Sequence, residues 1–170
     1  MSTFAVGNKV VHPCYGAGTI VRIQEKSISD TSHAYYVIDT VCRGMQLMVP
    51  VKRARSVGLR PVGERDELRS TLAAFLQAPT KDDIERDLRV RQSAMRERLK
   101  SGQFDGVAGV VRMLYFMNSQ RALGTVDRQL FDQGKDFLAG ELALASDLDV
   151  DVAMQEVEDR LVEMLAEEET

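Results

Sequence analysis

Over the first sixty residues, apolar and polar positions alternate in short runs broken by turn-forming clusters. KVVHPC (9–14), GTIVRIQEK (18–26), HAYYVIDTV (33–41) and MQLMVPV (45–51) are rich in Val, Ile and Tyr, and stretches such as YGAG and SISDTS separate them. Short strands so closely spaced predict a small, strongly bent antiparallel barrel of the SH3 or Tudor kind, with an interior filled by its own side chains. From Gly63 the period becomes helical. Leu68, Leu72, Phe75 and Leu76 repeat at helical spacing, and Pro79 ends that segment. Thr80 with Asp83 approximates a capping box, which predicts a long second helix from about Lys81 to Lys100, closed by Gly102. FDGVAGVVRMLYFMNSQRAL predicts a third helix and TVDRQLFDQGKDFLAGELALA a fourth. The last, over 149–168, is amphipathic, with Val152, Val157, Leu161 and Leu165 on one side. The fold class expected is α+β: a Tudor-like or SH3-like barrel over residues 1–62, then an all-helical domain over 63–170.

Composition limits what such a chain does. With 170 residues and 44% hydrophobic content, it can bury a core. No apolar run approaches the roughly 20 residues that span a bilayer, and MSTFAVGNKVV is not a secretory leader, so a cytoplasmic protein is expected. The net charge of −4 hides an asymmetry: residues 1–60 carry 8 Lys or Arg against 3 Asp or Glu, whereas residues 102–170 carry 5 against 15. A basic front and an acidic rear steer partners more than they shape a fold. Just ahead of the sign change lies DLRVRQSAMRERLKSG (87–102), with five basic side chains against Glu97 between Leu88 and Lys100.

Chemistry has no candidate residues. There is no Gly-rich phosphate loop, no GxSxG elbow and no HExxH, so the chain reads as non-catalytic and without a cofactor. His12, Cys14, His33 and Cys42 lack the close Cys pairing of structural zinc sites, so no metal is expected and the thiols are expected reduced. The acidic residues of the rear fall around a helix rather than in a pocket. Phe4, Tyr15, Tyr35 and Tyr36 are candidate walls of an aromatic cage for a methylated ammonium group. Adjacent Tyr35 and Tyr36 point to opposite faces of a strand, so at most one of them serves a given cage.

FAVGNKVVHPCYGAGTIVRI, followed by AYYVID, MVPV and SVGLRPV, resembles the polymerase-interacting domain of the CarD/CdnL family of bacterial transcription regulators, a domain shared with transcription-repair coupling factors. SGQFDGVAGVVRMLYFMNSQRALGTVDRQLF and LAGELALA resemble that family's helical C-terminal domain. The resemblance implies a Tudor-like domain on the β subunit of RNA polymerase and a helical domain on promoter DNA at the upstream edge of the melted bubble. It implies a nucleoid-associated monomer, with no membrane partner.

By the same resemblance, polymerase binding falls to Lys26 and to the strand around Met45, Leu47, Met48 and Val49, whose edge can pair with a partner strand. Family members often carry Arg at the positions of Lys26 and Met48. Leu88 stands where the family usually carries a Trp that wedges against unstacked bases; this chain has no Trp. Arg89 and Arg91, with Arg128 by alignment, are the expected phosphate contacts, mostly to the DNA backbone. On a continuous helix Arg89 and Arg91 stand roughly 200° apart and cannot face one groove together. Two other functions remain open from the residues: an adaptor that binds polymerase without productive DNA contact, and a Tudor-type reader of methyl-lysine or Pro-rich peptides.

Overall fold

The computed structural model describes residues 4–75 and 77–168; Leu76 lies outside the described residues. Five strands come first: β1 (Lys9–His12), β2 (Gly16–Ile28), β3 (Thr31–Thr40), β4 (Gln46–Pro50) and β5 (Arg60–Pro61). They form one antiparallel sheet in the order β4-β3-β2-β1-β5. The hairpin between β2 and β3 turns on Ser29 and Asp30, both at positive φ, as a two-residue turn matched to strand twist demands. A register shift between Ile20 and Arg22 bends β2 where the sheet curls.

The expected closed barrel is an open sheet instead. β4 and β5 are its two edges, and β5 is only two residues long. Pro61 has no N–H to offer a further strand, and a 3-10 turn over Val51–Arg53 follows β4 directly. Alternation still sorts the side chains. Val10, Ile20, Tyr36, Ile38, Val49 and Leu59 fill the concave interior, while Val11 and Ala17 point the other way, into the helical core.

Five helices follow: α1 (Arg65–Phe75), α2 (Leu88–Lys100), α3 (Phe104–Gln120), α4 (Thr125–Ser146) and α5 (Val150–Glu168). The single helix expected from Lys81 to Lys100 is in fact broken. Thr80 and Asp83 do form a capping box, but it closes only a 3-10 turn over Lys81–Asp83. Ile84 then becomes extended and packs on the core, and Asp87 caps a new helix by accepting from the N–H groups of Arg89 and Val90 at 3.0 and 3.1 Å. Val152, expected on the buried side of α5, is exposed; the stripe that packs is Ala153, Val157, Leu161 and Met164.

Helix α4 is the central beam, buried along most of its length. Small residues let its neighbours approach closely. A Cβ on Gly134 would lie 2.6 Å from Val111 Cγ2, and one on Gly140 would lie 3.2 Å from Cys42 Sγ and 3.7 Å from Ala17 Cβ. The first of these glycines seats α3, the second seats the sheet.

Polar contacts lock that junction. Glu141 is completely buried, yet Arg60 Nη1 and Nη2 donate to its two oxygens at 2.8 and 2.6 Å, and the Gly63 N–H donates at 2.8 Å. Arg60 Nε donates to the Gly102 carbonyl at 2.9 Å, so one side chain ties β5, α4 and the end of α2 together. Lys9 Nζ adds bonds to the Leu144 carbonyl and to Asp147, whose carboxyl it holds below the usual carboxylate range. Cys42 donates its thiol proton to the Asp136 carbonyl, and burial, reinforced by the Asp136 charge, pushes that thiol up to about 11.

Candidate functional site

Two surfaces stand out, one on the sheet and one on the helical body. On the sheet, β4 pairs only with β3. Thr40 N–H donates to the Met45 carbonyl at 3.0 Å, and pairing alternates along an antiparallel ladder. Ile38 with Leu47 and Tyr36 with Val49 are therefore the hydrogen-bonded pairs, and the N–H and C=O groups of Gln46 and Met48 face the free edge. Met45 and Met48 are exposed, Leu47 is half-buried, and Lys26 is exposed on the outer part of the β2–β3 hairpin, opposite His33. Val49 is different. Its side chain lies in the sheet's interior and its N–H belongs to the β3 ladder, so it supports the edge from behind.

On the helical body, the break before α2 decides what is displayed. Leu88 is the first helical residue and continues the line of Gln92, Met95 and Leu99, but the core ends before it, leaving it 55% exposed. Val90 beside it is 54% exposed. Arg89 and Arg128 are exposed and have no ion-pair partner among the described residues.

Arg91, expected beside them as a phosphate contact, is instead engaged within the protein. Its Nη2 donates to Asp127 at 2.7 Å, Gln92 donates to the other oxygen at 3.2 Å, and both charged side chains are only 10% exposed. A guanidinium committed to a nearly buried carboxylate is a clamp, not a free cation. The clamp fastens the start of α2 to the start of α4, which is what brings Leu88 and Arg89 to the same end as Arg128. Sequence reasoning missed both buried carboxylates. Glu141 had a signal, a lone acid inside the apolar run LAGELALA; Asp127, in the polar start of a helix, had none.

The four candidate cage rings do not gather round one site: Phe4 packs on Tyr36, and Tyr15 packs on His12 instead. Tyr36 is wholly buried, its hydroxyl accepting from the Phe4 N–H, with the Phe4 ring edge-on at 5.8 Å. Tyr15 leans on His12 at 5.0 Å, and Tyr35 belongs to the opposite face from Tyr36. His12 Nδ1 accepts from the Cys14 N–H, and burial lowers its pKa. Among the described residues no group of three or more His, Cys, Asp or Glu is placed to hold a metal ion, and no helix is long and apolar enough to cross a membrane.

The molecule is thus an open-edged sheet fastened to a helical body with an exposed apolar and basic tip. The chain belongs to the CarD/CdnL family of transcription regulators: the family described as "CarD, C-terminal domain" matches residues 71–158, and "CarD-like/TRCF RID domain", a kind of domain that interacts with RNA polymerase, matches residues 4–63. A relative in Bacillus subtilis (strain 168), "Putative transcription factor YdeB", is 30% identical over 139 residues, which span 82% of this chain and 90% of that protein.

Proposed function

We propose that this protein is a non-catalytic transcription regulator that grips the β subunit of RNA polymerase with the β4 edge and sets the tip of α2 against promoter DNA at the upstream edge of the bubble, changing the stability of the open complex. Residues 1–62 form the polymerase-binding unit and residues 63–170 the DNA-facing one. The observation that carries this reading is the exposed Leu88 and Val90 flanked by the unpaired cations Arg89 and Arg128. An apolar wedge at a helix tip unstacks a base step, while cations beside it hold the backbone.

The edge has its own test. Met48→Pro removes an outward N–H while leaving the β3 ladder and the interior intact, whereas Val49→Pro would damage both. With circular dichroism unchanged, Met48→Pro is expected to abolish co-purification with RNA polymerase; full retention would refute strand pairing through this edge.

For the DNA side, binding to forked promoter DNA is expected to weaken with salt, and Arg89→Ala or Arg128→Ala each to reduce the slope of log affinity against log salt by about 0.9. Arg91→Ala is expected to destabilise the fold rather than act through that slope alone. The committed Arg91 and the missing Trp favour one second reading, an adaptor that binds polymerase without productive DNA contact. A salt-independent or absent DNA affinity selects it.

A further inference from the structure

The basic block of α2 does more than crowd its tip. Arg89, Ser93, Arg96 and Lys100 are spaced 4, 3 and 4 apart, so they form one line along the helix, and all four are exposed. The line is about 16 Å long at 1.5 Å per residue. It lies one step around from the packed line of Leu88, Gln92, Met95 and Leu99, and none of its three cations has an ion-pair partner among the described residues. Glu97, on the next line, pairs with neither Arg96 nor Lys100.

The line does not stop at the end of the helix. Gly102, which closes α2, packs against Pro13, where a Cβ would lie 2.9 Å from the proline Cα. Gly58 packs against the same proline, with a Cβ 2.9 Å from its Cγ. The turn that carries Arg53 and Arg55 is thus only one proline ring away from the cap that follows Lys100. The Leu59 N–H bond to the Ala54 carbonyl and the Gly58 N–H bond to the Arg55 carbonyl hold that turn in shape. Arg53 and Arg55 are exposed and equally unpaired among the described residues.

From these placements we infer that Arg96, Lys100 and Arg55 continue the tip's cations into a track across the junction of the two units, and that its ligand is the phosphate backbone of duplex DNA. A row of cations with Ser93 between them suits a regular polyanion; the exposed apolar residues, Leu88 and Val90 at the tip and Val57 in the turn, lie at its two ends rather than forming the apolar centre that a protein partner would call for. Arg60, held by Glu141, fastens β5, which follows the turn, to the end of α2 through the Gly102 carbonyl, so the backbone that carries the track is already in place and only its side chains are ordered on binding. The inference rests on the reading of the α2 tip as a DNA contact and extends it along the duplex.

Salt titrations of the full chain on a fork with a duplex arm of about 20 base pairs test it. Arg96→Ala, Lys100→Ala and Arg55→Ala are each expected to lower the slope by about 0.9, and the triple variant by about 2.7. All three positions are exposed, and circular dichroism checks the fold. If the triple variant keeps the wild-type slope while Arg89→Ala lowers it, the track is overturned and the tip reading stands. A flat slope for the wild type overturns both. Should the triple variant instead bind DNA normally and lose RNA polymerase on co-purification, the row serves a protein partner and the DNA assignment falls.

Discussion

Arg60→Ala is expected to lower folding stability by about 3–5 kcal/mol, the usual cost of stranding one member of a buried ion pair. Glu141 has no exposure and loses both guanidinium bonds, keeping only the Gly63 N–H, while the Gly102 carbonyl loses its donor. For a chain of this size each kcal/mol moves the melting temperature by roughly 2–4 °C, so a fall of about 6–20 °C is the result to look for in a thermal scan. Adding Glu141→Gln to Arg60→Ala removes the stranded charge but keeps an acceptor for Gly63, and is expected to recover part of the loss. Lost packing alone would give no recovery. An unchanged melting temperature for Arg60→Ala would show that the pair contributes nothing to the junction.

Leu88→Trp carries the largest expected functional effect. Leu88 is more than half exposed at the first position of α2, so an indole there meets no packed neighbour. Base stacking on an aromatic ring is worth about 1–3 kcal/mol, and it acts only on an unpaired base. It therefore favours the melted promoter over the closed one and shifts that equilibrium by the difference. A gain of about 1.4 kcal/mol is tenfold. The lifetime of open complexes on a poorly melting promoter, measured by competitor challenge, is expected to rise by about that factor, with polymerase co-purification unchanged. Leu88→Ala is expected to shorten it slightly. An unchanged lifetime for a folded, polymerase-bound Leu88→Trp protein would remove Leu88 from the bubble edge.

The sequence by itself determined the first four strands and the order of strands before helices, though neither the two-residue β5 nor the break ahead of α2. Alternating Val, Ile and Tyr specify strands, and 3.6-residue periodicity specifies helices, because each pattern puts one apolar face where it can be buried. The motifs carrying the family resemblance were equally legible, since they are local strings. Tertiary structure decided what no local pattern contains. It broke the expected helix at Ile84, which gave up helical geometry to pack on the core, and so placed Leu88 at an exposed tip. It separated Arg89 from Arg91, turning one toward solvent and the other into Asp127, thirty-six residues away in the chain. It left the sheet open, with β4 at one edge and the two-residue β5 at the other. Whether a cation is a ligand contact or a clamp depends on which carboxylate lies across from it, and that distance is set only when the helices pack.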